Sequence, residues 1–150
     1  MLIHLGSDHR GFKLKQVLRD FLEQTGYEVN DVGNIQYEKD DDYPDFAARV
    51  GEKVSLDPQS RGIVLCASGV GVDIVANKFS RVRCALVSDA DQAAASRNDD
   101  DTNVLAFAAD YVSEDQAKKI VSTWIQTPFS GEERHRRRIQ KISDIEQKRC

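Results

Sequence analysis

Long apolar runs are missing from this chain. No stretch approaches the ~20 apolar residues that a membrane-crossing helix needs, so no membrane partner is expected. A basic excess is missing too. Lys and Arg number 21 against 25 Asp and Glu, for a formal net charge of −4. Such a balance gives no global attraction to nucleic acid or an anionic surface. Cysteine is scarce: Cys66, Cys84 and Cys150 make an odd count without metal-type spacing. A disulfide framework and a metal site are therefore not expected, and a reduced, cytoplasmic setting fits. Met1 leads straight into strand-like Leu2 to Leu5, so no signal peptide is expected. Neither a repeat nor a flexible linker interrupts the chain. What remains is 150 residues, 40% hydrophobic and 31% charged. That is most simply one domain, 1–150, with a real core.

Strand and helix patterns alternate along it. Met1 to Gly6 is a short apolar run broken by His4. A helix follows with Leu14, Val17, Leu18, Phe21 and Leu22 on one face, closed by Gly26. Glu28 to Val32 reads as a weaker strand, and Gln36 to Asp42 as a charged loop. Tyr43-Pro44-Asp45 opens a helix carrying Phe46, Val50 and Val54. Ile63 to Cys66 is an apolar strand leading to a helix over Val72 to Lys78. Val82 to Val87 reads as a buried fourth strand, and Ser88-Asp89 as the cap of a helix to about Arg97. Asn98 to Asn103 is expected to be an acidic turn before a fifth strand, Val104 to Phe107. A helix with Ala117, Ile120, Val121, Trp124 and Ile125 facing inward comes next, then a last helix with Ile139, Ile142 and Ile145 on one stripe. The pattern predicts an α/β fold: a Rossmann-like, doubly wound, five-stranded parallel sheet flanked by helices, with an extra C-terminal helix. The narrow apolar stripe of that helix suits either its own domain or a second subunit.

Ligands in such folds bind beyond the carboxyl ends of the strands. There the sequence places Ser7-Asp8-His9, Cys66 to Gly71, Ser88-Asp89 and Asp110. The central stretch is Cys66-Ala67-Ser68-Gly69-Val70-Gly71. A tight turn from a strand into a helix presents main-chain N–H groups and a positive dipole end. That setting suits a developing oxyanion and favours the thiolate form of a cysteine. Cys66 reads as a base or nucleophile, against the alternative of a small buried hydrophobe. Gly69 and Gly71 form an anion nest or simply a turn, and Ser68 is a hydroxyl donor or a cap. Asp8 and His9 are site residues or a helix cap beside a solvated imidazole, whereas His4 and Cys84 read as core. Arg134 and Arg138, four apart, share a helix face and can grip a phosphate, within a run of cations that is otherwise a solvated face. Asp99 to Asp101 oppose the dipole at a helix end, so they are solvated, paired with arginine or held for chemistry.

The ordered set Ser-Asp-His-Arg-Gly (7–11), Asp-Tyr-Pro (42–44), Cys-Ala-Ser-Gly-Val-Gly (66–71), Ala-Asn-Lys (76–78), Asp-Thr-Asn-Val-Leu-Ala-Phe (101–107) and Arg-His-x-x-Arg (134–138) resembles the type B ribose-5-phosphate isomerase family, which also holds the galactose-6-phosphate isomerase subunits. The resemblance covers nearly the whole chain. It implies aldose–ketose isomerisation of a sugar phosphate through an enediolate, without metal or cofactor, in a homodimer or dimer of dimers whose site lies between subunits. Carried over by position, Cys66 is the base that moves a proton between C2 and C1. The backbone of Ala67, Ser68, Gly69, Val70 and Gly71, with the Ser68 hydroxyl, holds the enediolate oxygen. Asp8 and His9 meet sugar hydroxyls or the ring oxygen, and Arg134 and Arg138 bind phosphate. Asp99 and Asp100 stand where the family usually has His-Asn, the ring-opening acid or base and a substrate contact. Asp110 stands where an arginine commonly reaches phosphate. An anion there opposes phosphate by ~4 kcal/mol at about 4 Å and a dielectric near 20. Ser68 replaces the commoner threonine.

The expected function is thus an aldose–ketose isomerase acting on ribose 5-phosphate or a related sugar phosphate, a small-molecule partner. The alternative is a non-catalytic or paralogue-dependent family member that binds a sugar or sugar phosphate. A nucleotide-binding module is disfavoured because no Gly-x-Gly-x-x-Gly follows the first strand.

Overall fold

The computed structural model describes residues 1–148, and Cys150 lies outside them. Five parallel strands form one sheet in the order β2-β1-β3-β5-β4. They are β1 (Leu2–Ser7), β2 (Glu28–Asp31), β3 (Arg61–Cys66), β4 (Cys84–Leu86) and β5 (Val104–Ala108). Six helices complete the chain: α1 (Phe12–Gln24), α2 (Tyr43–Leu56), α3 (Val70–Ala76), α4 (Ala90–Asp100), α5 (Glu114–Gln126) and α6 (Glu133–Gln147). The expected doubly wound architecture and the additional C-terminal helix are both present. No helix among the described residues is long and apolar enough to cross a membrane.

Side-chain alternation divides the core between the two faces of the sheet. Ile63 and Leu65 of β3, with Leu105 and Phe107 of β5, join Leu18, Leu22, Ile120 and Trp124 on one side. Val64 and Cys66, with Val104 and Ala106, meet Val50, Val54, Val72 and Ala76 on the other. Buried on both faces, β3 and β5 read as continuous apolar runs. The helices begin where local chemistry allows. Asp89 accepts from the Gln92 N–H at 2.8 Å, and Ser113 with Gln116 makes a reciprocal capping box at α5.

Three expectations need correction. The fourth strand is only Cys84–Leu86, an edge strand whose members are partly or largely exposed, because the flanking Val82 and Val87 are buried from loops. Asn98, Asp99 and Asp100 are not a turn but the last turn of α4, which Asp101 ends in the left-handed region at φ 48°. Arg97 and Arg83 neutralise Asp101 there, at 2.7 and 3.0 Å, and so allow a like-charged helix end to persist. The third-strand helix starts two residues earlier than the apolar pattern suggests, at Val70, because Gly69 supplies the positive φ of 75° that turns the chain.

The central fact for the site is the strand order. The sheet is wound outward from the β1–β3 boundary, so a crevice opens beyond the carboxyl ends of those two strands. Asp8 follows β1, and Cys66 ends β3.

Candidate active site

Asp8, Tyr43, Cys66, Ala67, Ser68, Val70, Gly71 and Ile74 line a cleft of about 380 Å3 at that boundary. The Cys66 side chain is 5% exposed. Its sulfur accepts from the Gly69 N–H at 3.2 Å, which is the contact that a thiolate favours. The two glycines of this turn have no room for a side chain. A Cβ on Gly69 would fall 2.4 Å from the Leu86 side chain and 2.9 Å from the Ala108 nitrogen, and one on Gly71 would fall 2.5 Å from the Tyr43 ring. Ser68 Oγ lies 3.4 Å from the Val70 nitrogen, too long for a firm cap, so the hydroxyl remains available to the cleft.

Asp8 is 5% exposed and accepts from the N–H groups of Arg10 and Gly11, both at 3.0 Å. Burial pushes its carboxyl up; those two N–H groups and nearby His9 only partly offset this. His9 is set by a neighbour that the sequence reading did not single out. One oxygen of Asp41 takes the His9 main-chain N–H at 2.9 Å and the ring Nδ1 at 2.7 Å. The other takes the Asn34 side-chain amide at 2.9 Å. Burial alone would raise the Asp41 carboxyl, but these hydrogen bonds outweigh it and hold it below the ordinary value. Behind Asn34, the fully buried Lys15 donates to its carbonyl at 2.7 Å and to Asp31 at 2.6 Å. Burial lowers the Lys15 ammonium, and Asp31 partly restores it. A continuous polar chain therefore runs from inside α1 to the imidazole.

The other predicted residues stand elsewhere in this chain. Asp99 and Asp100 close α4, and Arg134 and Arg138 lie on the first turns of α6, which packs on α4. None lines the Cys66 cleft of its own chain. Arg134 pairs with Glu132 at 2.7 Å. Within the cation run, His135 is buried at 2% exposure rather than solvated. Its Nδ1 meets Ser130 Oγ at 2.7 Å and its Nε2 sits 3.7 Å from Asp99. Asp110 pairs with Arg10 of the same chain. His4 is a satisfied core histidine, bonded to the Asn30 side chain at 3.1 Å. Cys84 is pressed against Asp73, and its thiol is pushed well up by burial and that carboxylate. Tyr43 at the cleft, and Asn34 and Asp41 beside His9, are neighbours to which the sequence reading gave no site role. The aspartate run 40–42 and the Asp-Tyr-Pro motif at 42–44 were the signals that could have pointed to them.

The family model described as Ribose/Galactose Isomerase matches residues 3–142. The ribose-5-phosphate isomerase B of Mycobacterium tuberculosis is 38% identical over 146 residues, 97% of this chain and 90% of that protein. The Escherichia coli protein of the same name is 40% identical over 147 residues, covering 98% of this chain and 97% of its own. Among solved structures, ribose-5-phosphate isomerase B from Clostridium thermocellum superposes with a TM-score of 0.96 at 42% identity, over 100% of both chains. The Mycoplasma genitalium enzyme, which carries bound ribulose-5-phosphate, gives 0.94 at 38% identity over 97% of this chain and 96% of that one. By class, then, the protein is an aldose–ketose isomerase. The chain belongs to the ribose/galactose isomerase family.

Proposed function

We propose that the protein interconverts ribose 5-phosphate, or a closely related aldose phosphate, with its ketose phosphate through an enediolate, using Cys66 as the base. The observation that carries this reading is the placement of the Cys66 sulfur. It lies at the crevice between β1 and β3, 3.2 Å from the Gly69 amide and beside Ser68. In the open-chain aldose the thiolate takes the C2 proton, and the C2–H electrons form the C1–C2 double bond. The former carbonyl oxygen at C1 takes up the negative charge. Main-chain amides of Ala67 to Gly71 and the Ser68 hydroxyl stabilise that oxygen. The O2 hydroxyl proton passes to O1, the electrons left on O2 form the C2 carbonyl, and the C1–C2 pair takes the proton back from the thiol at C1, which gives the ketose and restores the thiolate. A base beside fixed donors is what carbon-acid chemistry needs.

Asp8 and His9 take sugar hydroxyls in this scheme. Arg134 and Arg138 bind the phosphate, Asp99 acts at ring opening and Asp100 contacts the substrate, all four from a second copy of the chain. Their position away from the Cys66 cleft of their own chain supports a site shared between two subunits. The ribulose-5-phosphate held by the Mycoplasma genitalium relative supports the substrate class.

The test is isomerisation in D2O with ribose 5-phosphate and a panel of other aldose phosphates. The wild type should form ketose and wash deuterium into the carbon-bound position; Cys66→Ala should do neither. Undiminished exchange in Cys66→Ala would remove the sulfur from the mechanism.

A further inference from the structure

On the opposite edge of the sheet from Cys66, a cavity of about 620 Å3 opens where β3, β4 and β5 begin. Four guanidinium groups line it, those of Arg61, Arg81, Arg83 and Arg97, against the single carboxylate of Asp101. This is a concentrated positive site in a chain whose formal net charge is −4.

The four arginines divide into two pairs. Arg83 and Arg97 are locked. They take the two oxygens of Asp101 at 3.0 and 2.7 Å, and donate to the carbonyls of Asp101 and Thr102, both at 2.6 Å. They present fixed charge but share one anion. The guanidinium groups of Arg61 and Arg81 have no carboxylate partner among the described residues, although the Arg81 main-chain N–H donates to Glu146 at 3.1 Å. Arg61 lies over the Trp124 ring at 5.0 Å, and its one protein acceptor is the Trp124 carbonyl at a long 3.5 Å. Burial, with the repulsion of Arg97, brings its guanidinium down to about 10, so it is still a cation at neutral pH. Two under-partnered guanidinium forks facing one cavity are the chemistry that recognises phosphate oxygens in pairs. The volume suits a small organic molecule rather than a bare ion. No aromatic side chain lines the cavity, so recognition rests on charge and not on ring stacking.

We propose that this cavity is a second ligand site that binds a phosphorylated small molecule by its phosphate or pyrophosphate group, gripped by Arg61 and Arg81 and steadied by the field of Arg83 and Arg97. It is separate from the Cys66 cleft and does not rest on the isomerase reading.

Calorimetric titration of the full chain with inorganic pyrophosphate, and in parallel with ATP, tests it without any turnover. The wild type should bind both in a saturable, salt-sensitive way. The double variant Arg61→Gln/Arg81→Gln should lose at least about tenfold in affinity. The variant Arg134→Gln/Arg138→Gln, altered only on α6, should lose at most the binding that belongs to the isomerase site and keep the saturable pyrophosphate binding that depends on Arg61 and Arg81. Should Arg61→Gln disturb Trp124 and fail to fold, Arg81→Gln alone, at an exposed loop position, should still weaken pyrophosphate several-fold. Equal affinities would show that the site reads the phosphate group alone, and tighter ATP that more of the cavity is used; either supports the proposal. Absence of wild-type binding, undiminished binding in the Arg61/Arg81 variants, or loss confined to the α6 variant would overturn it.

Discussion

Asp41 holds His9 twice through one oxygen, at the main-chain nitrogen and at ring Nδ1, 2.9 and 2.7 Å away. A backbone and an imidazole fixed by one carboxylate cannot rotate independently. With Nδ1 occupied, the ring directs Nε2 to other partners. Asp41→Ala should therefore loosen His9 and lower isomerase kcat/KM by about tenfold or more, while Asp41→Glu recovers part of the loss. A kcat/KM within twofold of wild type for Asp41→Ala would show that His9 needs no such brace.

The same carboxylate predicts an acid response. Asp41 titrates lower in the folded chain than its ordinary 3.8. As pH falls through 3.8 the unfolded chain takes up the proton first, so this contribution is whole above that pH and is lost below it, down through the folded value. Thermal unfolding followed from pH 6 to pH 3 should show a steeper decline for the wild type than for Asp41→Asn. Parallel declines would mean that Asp41 is not linked to folding.

Lys15 is fully buried, yet it serves Asp31 and the Asn34 carbonyl. Lys15→Met keeps the length and strips the charge, which leaves both acceptors without their donor. The cost should be about 3 kcal/mol, read by urea denaturation, with a further fall in kcat because Asn34 supports Asp41. Full stability in Lys15→Met would show that water replaces the ammonium.

Gly69 has φ 75° and no room for a methyl group beside Leu86 and the Ala108 nitrogen. Gly69→Ala should destabilise the fold by about 1–3 kcal/mol and displace the amide that faces Cys66. Turnover should drop further than stability alone accounts for, measured well below the melting temperature. Wild-type turnover in a folded Gly69→Ala protein would detach this amide from the chemistry.

Arg10 neutralises Asp110 at the rim of the molecule. Arg10→Ala frees an anion at the position where the family resemblance puts a phosphate-reaching arginine. The KM for a sugar phosphate should rise several-fold at low ionic strength, and the difference should shrink as salt screens it. A salt-independent change would point instead to lost packing.

Much of this architecture was legible because its causes are local. Buried runs such as Ile63 to Cys66, the Pro44 helix start and the Gly69 turn each declare themselves within a few residues. The ligand-binding edge followed from alternation alone, since such folds bind beyond the carboxyl ends of their strands, whereas the crevice between β1 and β3 needed the strand order. The His9 brace was not legible. It joins Lys15, Asn34 and Asp41, residues brought together only by the pairing of β1 with β2 and the loop beyond it. Burial of His135 was hidden for a related reason: its arginine neighbours suggest a wet face, while Ser130 and α4 cover that one position. The end of α4 was misread because three adjacent aspartates look incompatible with a helix terminus until Arg83 and Arg97 arrive from elsewhere.

Brevity at both borders of the sheet has its own result. β2 has four residues and β4 three, so each rim offers few free main-chain groups to a passing strand. Copies of this chain gain little by zipping sheets together, a safeguard against aggregation in a crowded solution.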